Sequence, residues 1–90
     1  MSGGLEGLRE EIERLDREIV SAIARRRDLA LEVGEEKDRQ ELPTLDPERE
    51  AAVVRRAGAL AREADLPEEE VRAIFWRLIG ICRRSQRSEG

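Results

Sequence analysis

Apolar residues recur at helical spacing through the first third of the chain. They stand three or four positions apart, with one step of seven, and comprise Leu5, Leu8, Ile12, Leu15, Ile19, Ala22, Leu29 and Val33. This spacing places them along one face of an α-helix. No proline interrupts the segment, and Gly34 weakens a helix without having to end it. The pattern predicts one long helix over residues 5–37.

Two shorter helices are predicted after it. Asp46-Pro47-Glu48 combines an N-cap acid, a proline at the first helical position and an acid in the first turn, which predicts a helix over residues 47–64. Leu66-Pro67 breaks the chain again, and the acidic residues 68–70 favour the positive end of a third helix, over residues 67–87. The apolar side of the second helix is expected to consist of Ala51, Val54, Ala57, Ala61 and Ala64, with Val53 and Leu60 beside it. The residues expected on the inward side of the third helix are Val71, Ile74, Phe75, Leu78, Ile79 and Cys82. We expect an all-α fold of three helices, with residues 1–90 in a single domain.

The predicted first helix is too long for the globule that 90 residues can build. At 1.5 Å per residue it spans about 50 Å, whereas a compact domain of this size has a radius of gyration of about 12 Å. Its apolar stripe continues along the overhang. A second copy packed along that stripe would cover it, so we expect an intertwined helical homodimer.

The amino-acid composition excludes several classes of function. The chain contains no histidine and one cysteine, which excludes histidine-based acid–base pairs, Ser-His-Asp triads and CxxC zinc or redox sites. The lone cysteine fits a reducing compartment, and we expect a cytoplasmic protein. No apolar run approaches the ~20 residues that span a membrane. The formal net charge of -4 and the 2% of aromatic residues oppose nucleic-acid binding.

Two cations are predicted on the apolar face of the first helix. Arg26 falls within the stripe itself, and Lys37, eleven residues later, returns to within about 20° of the same face. Lys37 is also the only lysine among 17 basic residues. Arg26 could form a structural ion pair or reach solvent at the edge of the stripe, and the single lysine could reflect a compositional bias. Two cations separated by Ala30 and Val33 favour instead an anion site between helices.

Three further polar residues could complete such a site. Arg49 lies at about the third position of the second helix, where a cation opposes the helix dipole, although a surface salt bridge would also explain it. Gln86 extends the inward stripe of the third helix, or is an ordinary polar helix end. Arg9 lies about 25 Å from Arg26 along one helix, so only an antiparallel partner helix could bring it to the site.

These segments together resemble the all-helical (AroQ-class) chorismate mutases. The resemblance extends over nearly the whole chain and depends on five motifs in order: Leu8-Arg9-Glu10-Glu11-Ile12 with Leu15-Asp16, Arg26-Arg27-Asp28-Leu29-Ala30, Val33-Gly34 followed by Lys37, Pro43 with Asp46-Pro47-Glu48-Arg49-Glu50, and Gln86. Each motif is weak alone, whereas the ordered set is specific. Members of this family are intertwined helical dimers that convert chorismate to prephenate, a Claisen rearrangement in phenylalanine and tyrosine biosynthesis.

The resemblance implies roles for the basic and amide side chains. Arg26 and Arg9 of the partner subunit would bind the two carboxylates of chorismate. Lys37 and Gln86 would donate to its ether oxygen, with Lys37 also near a carboxylate. Arg49 would line the same site.

The resemblance also implies the rest of the site. Glu50 and the backbone of Asp46 would hold the ring hydroxyl. Cys82 stands where some members have a serine that donates to a carboxylate, and a thiol is a poor donor. The apolar walls would come from Val33, Phe75 and Ile79. No metal and no cofactor are implied.

The resemblance also implies partner enzymes for this chain. Family members occur alone and fused to DAHP synthase, prephenate dehydratase or prephenate dehydrogenase, so a fusion or complex with such an enzyme is implied.

A non-catalytic dimerisation or regulatory module would explain the apolar stripe, but not Arg26 and Lys37 on an inward face, because such modules place charge at flanking positions. A small nucleic-acid-binding dimer would use the arginine clusters, but the acidic balance of the chain opposes it.

Overall fold

The computed structural model describes the backbone of residues 3–89 and the side chains of residues 3–86. It consists of three helices: α1 (Gly4–Arg39), α2 (Pro47–Glu63) and α3 (Glu68–Glu89). No strand occurs in the described part of the chain, which confirms the all-α prediction. Helix α1 continues through Gly34 without a break, and no described residue in it is buried.

The helix ends are fixed by local hydrogen bonds. Asp46 is the N-cap of α2, and its Oδ1 accepts a bond from the backbone N–H of Arg49 at 3.1 Å, with Pro47 at the first helical position. Helices α1 and α2 both end in the paired bonds of a Schellman motif, with Glu41 (φ 57°) and Asp65 (φ 60°) in the left-handed conformation. These caps set the directions in which the chain enters and leaves α2.

Helix α3 contacts both other helices, and the small core lies where it packs on α2. Val53, Val54 and Ile79 form the buried cluster, and Phe75 packs against it. Ala57 and Ala61 are almost wholly buried, so small residues on α2 allow the close approach of α3.

Two residues expected to face inward, Ala64 and Ile74, are exposed instead, and so is Leu60, which is expected beside the apolar side of α2. Leu60 and Ile74 each leave more than half of their surface exposed, and Ala64 is also exposed. The buried face of α2 includes Gly58 in their place, because the side chain of Arg72 lies directly over that glycine. Leu60 and Ile74 belong to helix faces that no other helix of the same chain covers.

The first half of α1 projects from the rest of the molecule. The molecule measures 58 × 27 × 15 Å and has a radius of gyration of 16.7 Å, compared with the ~12 Å of a compact domain of this size. Five residues of the apolar stripe are each more than half exposed in this segment: Leu5, Leu8, Ile12, Leu15 and Ile19. An exposed apolar strip of this length is typical of surfaces that bind another protein. None of the described helices is both long and apolar enough to span a membrane.

Candidate active site

A pocket of about 290 Å³ lies where the last turns of α1 and α3 meet the first turns of α2. Its lining residues are Arg26, Leu29, Ala30, Val33 and Lys37 of α1, Thr44 and Asp46 of the connection, Arg49, Glu50, Val53 and Arg56 of α2, and Ile79, Cys82, Arg83 and Gln86 of α3. Seven of the eight polar residues singled out from the sequence therefore surround one cavity. Arg9, the eighth, lies on the exposed first half of α1, away from this pocket.

The two cations of α1 lie on one side of this pocket. Arg26 is half-buried and donates from Nη1 to the sulfur of Cys82 at 3.2 Å. Lys37 donates from Nζ to the backbone carbonyl of Thr44 at 3.2 Å. Neither forms an ion pair with a carboxylate among the described residues. Their charges are therefore available to an anion, and the structural ion pair considered for Arg26 is not observed.

Cys82 acts as a hydrogen-bond acceptor here. Its thiol is buried and receives the Arg26 guanidinium. A sulfur is a weak acceptor, so this bond orients the guanidinium while its other N–H groups remain available. Arg26 and Cys82 are thus in direct contact within the lining of the pocket.

The amide of Gln86 bridges α3 and α1. Its Nε2 donates to the backbone carbonyl of Ala30 at 2.6 Å. Gly34 lies beside it, and a Cβ at that position would stand 3.4 Å from the same nitrogen. The amide is therefore packed against α1 and has a second N–H to offer to the pocket.

The first turn of α2 supplies one cation and two carboxylates. The carboxylate of Asp46 is engaged by the backbone of Arg49, while the Arg49 side chain lines the pocket and forms no ion pair with any described residue. Glu50 pairs with Arg83 of α3, which donates from Nε to Oε2 at 2.9 Å and from Nη2 to Oε1. This pairing raises the pKa of Arg83 above its ordinary value, chiefly through the hydrogen bonds that Arg83 donates to Glu50 and also through the charge of that carboxylate.

Sequence reasoning missed part of the lining. Arg56 follows Arg49 and Val53 at steps of three and four on α2, so helical spacing could have found it. Arg83 could not be found that way, because it lies next to the inward stripe of α3 rather than on it. Phe75, expected as a wall, does not line the pocket and packs against the core instead.

The pocket is basic although the chain is acidic. Five basic side chains and two carboxylates line it, whereas the formal net charge of the whole chain is -4. One of the two carboxylates, Glu50, already has a cationic partner in Arg83. The remaining lining is apolar, with Leu29, Val33 and Val53 among its residues. Such a site suits a small ligand with more than one negative charge and an apolar body.

Comparison with known proteins agrees with this picture. The family model for chorismate mutase type II matches residues 8–87. The T-protein of Enterobacter agglomerans is 37% identical over 79 residues, which cover 83% of this chain and 21% of that protein. A bifunctional chorismate mutase/prephenate dehydratase of Aquifex aeolicus is 35% identical over 81 residues, or 87% of this chain and 22% of that protein.

A shorter relative is covered for most of its length. The chorismate mutase of Methanocaldococcus jannaschii is 36% identical over 72 residues, which cover 80% of this chain and 73% of that protein. The chain thus spans about a fifth of the first two relatives and nearly three quarters of this one. The range matched by the family model includes every residue that lines the pocket. This chain belongs to the chorismate mutase type II family.

Proposed function

We propose that this chain catalyses the rearrangement of chorismate to prephenate. The observation that supports this most directly is the pocket itself, where Arg26, Lys37 and Gln86 from two helices converge with an excess of basic side chains. Chorismate is a dianion with an apolar ring, a hydroxyl and an ether oxygen. Arginine forks suit its carboxylates, and the apolar lining suits its ring.

The proposed chemistry requires only positioning and fixed donors. The rearrangement is unimolecular: one C–O bond breaks as one C–C bond forms within the substrate. Holding the two carbon termini together supplies part of the rate enhancement. Donors at the ether oxygen, where negative charge develops, supply another part. We assign this second role to Lys37 and Gln86, and carboxylate binding to Arg26.

We further propose that the active unit is an intertwined homodimer. Its support is the exposed apolar stripe on the first half of α1, which a second copy would cover. Arg9 lies within that stripe's segment, about 25 Å from Arg26. In an antiparallel pairing, Arg9 of the partner subunit would reach the pocket and bind the second carboxylate.

The cellular setting is also a proposal. One relative joins chorismate mutase to prephenate dehydratase in its name. We propose that this chain acts in the cytoplasm, alone or with another enzyme of the same pathway such as DAHP synthase. Adding the purified partner enzyme should then raise kcat/KM, and an unchanged value would remove the partner from the proposal.

The assay is the loss of chorismate absorbance on mixing with purified chain. We expect turnover that Arg26→Ala reduces by on the order of 10²-fold or more, because a preorganised cation at the substrate is lost. The matched control is Arg77→Ala, an exposed arginine of α3 outside the pocket. No turnover by the unchanged chain would contradict the proposed activity. Equal losses from the two substitutions would contradict the role assigned to Arg26.

A further inference from the structure

The roles proposed so far do not explain the ion pair between Arg83 and Glu50. It joins α3 to α2, and both of its residues line the pocket. Every other ion pair formed by described residues lies outside the pocket lining. The Glu50 side chain keeps only 17% of its surface exposed, compared with 41% for Arg83.

The geometry fixes the carboxylate in one plane. Nε and Nη2 of Arg83 each donate to a different oxygen of Glu50, which is the two-pronged arrangement that an arginine fork forms with a carboxylate. Each carboxylate oxygen can accept a second hydrogen bond. Glu50 therefore remains an acceptor for a ligand, with its orientation already set before the ligand arrives.

The ion pair also balances the negative charge that Glu50 brings to the pocket. A carboxylate without a partner in this pocket would repel an anionic ligand, or would pair with a neighbouring cation such as Arg49 and so withdraw that cation from the ligand. Arg83 approaches from the opposite helix and takes this place. The charges of Arg26, Lys37 and Arg49 then remain available.

We propose that Arg83 is a positioning residue that holds Glu50 as an oriented, charge-balanced acceptor for the ring hydroxyl of the ligand. This inference rests on the proposed function, since it concerns the same ligand in the same pocket. It makes Arg83 a determinant of specificity for hydroxylated rings. It does not place Arg83 in contact with the reacting atoms.

The test compares two ligands in two protein variants. Calorimetry would measure the binding of an unreactive cyclic dicarboxylate that contains a ring hydroxyl and of a matched compound without the hydroxyl. In the unchanged chain we expect the hydroxylated compound to bind more tightly, by about tenfold, because Glu50 accepts a hydrogen bond from its hydroxyl. Arg83→Gln should remove most of this preference. It should also weaken the binding of the compound without the hydroxyl, because the unpaired Glu50 carboxylate then repels the anion or engages Arg49.

A double-mutant cycle separates positioning from direct binding. If Arg83 acts through Glu50, then Arg83→Gln should cost little in a Glu50→Gln background, since the residue it positions is already lost. Arg83→Lys keeps the charge but not the fork, so it should recover part of the preference. Arg77→Gln, which removes an exposed arginine from the same helix, is the matched control and should leave both affinities unchanged.

Two results would overturn this inference. Equal weakening of both ligands by Arg83→Gln, additive with Glu50→Gln, would mean that Arg83 binds the anion directly. An unchanged preference in Arg83→Gln would mean that Glu50 needs no partner. Because the binding readout does not depend on turnover, an inactive chain would count against the proposed reaction, while the role of Arg83 would still be decided by the ligand preference.

Discussion

The amide nitrogen of Gln86 lies 2.6 Å from the backbone oxygen of Ala30, so one hydrogen of the amide is committed to α1. The other hydrogen can point into the pocket that both residues line. An amide donates over the whole range from mildly acidic to mildly basic pH. Since the chain has no histidine, we expect turnover by the unchanged chain to vary little across that range.

Gln86→Glu should make this profile fall as pH rises. A protonated carboxyl has a single O–H, which it can donate either to the Ala30 oxygen or to the ether oxygen of the ligand, so the variant should be less active than the unchanged chain even at low pH. The charged form donates to neither oxygen and would be repelled by the Ala30 carbonyl. This contact and burial raise the pKa of the new carboxyl, while the Lys37 ammonium in the same pocket lowers it. In either case only the protonated form donates, so kcat/KM should decline through that pKa. A flat profile in the variant would show that residue 86 does not touch the reacting oxygen.

Lys37→Arg tests the ammonium while retaining its charge. Nζ of Lys37 donates to the Thr44 carbonyl and has two further hydrogens for a ligand. A guanidinium is larger, planar and differently placed. We expect kcat to fall by on the order of 10²-fold, as for the loss of one preorganised donor, with an almost unchanged thermal midpoint. Near-normal turnover would mean that any cation suffices at this position.

Subunit mixing tests the shared site. Arg9→Ala and Arg26→Ala chains should each be nearly inactive, because each lacks one carboxylate ligand in every site. In a mixed dimer, one site contains both substitutions and the other contains neither. Activity should therefore recover after subunit exchange, to at most about half per mixed dimer. Exchange shown by mass-tagged chains without any recovery would contradict the partner contribution of Arg9.

Two helical glycines should respond in opposite ways to alanine. A Cβ at Gly34 would stand 3.4 Å from the Gln86 amide, which is an ordinary contact, whereas a Cβ at Gly58 would stand 2.5 Å from Nε of Arg72. Gly34→Ala should therefore raise the free energy of unfolding by up to about 1 kcal/mol, because alanine has the higher helix propensity. Gly58→Ala should lose stability, since Arg72 must move from Glu68 and Glu69. Urea unfolding of both variants would check the order, and a more stable Gly58→Ala would contradict the close packing of Arg72.

The periodicity of α1 contained most of what could be predicted. Steps of three and four placed Arg26 and Lys37 on one face, and the structure brings both to the same pocket. The length of the stripe indicated an overhang, and Leu8 and Ile12 are indeed exposed there. Such inferences succeed because they concern one helix, whose geometry fixes the relation between its residues.

The contacts that could not be predicted are those between helices, because they depend on the angles at which the helices cross. The fork of Arg83 reaches Glu50 only because α3 packs antiparallel to α2 at that level. Ile74 has an inward position by periodicity, yet no helix of the same chain lies against it. Phe75 fills the core beside Val53 instead of the pocket. Spacing gives an angle around each helix axis but not the angle between axes.

Helix α1 runs without a break, so it fixes the distance between the residues that it carries. Arg9 and Arg26 lie on one rod with no turn between them, so their separation is set by the residue count alone. Inserting or deleting one residue between them would turn one end by about 100° relative to the other. Even a seven-residue insertion, which nearly restores the face, would shift the ends by about 10 Å. We therefore expect turnover to be lost when residues are inserted into α1 between Arg9 and Arg26, even where the helix itself continues through the insertion.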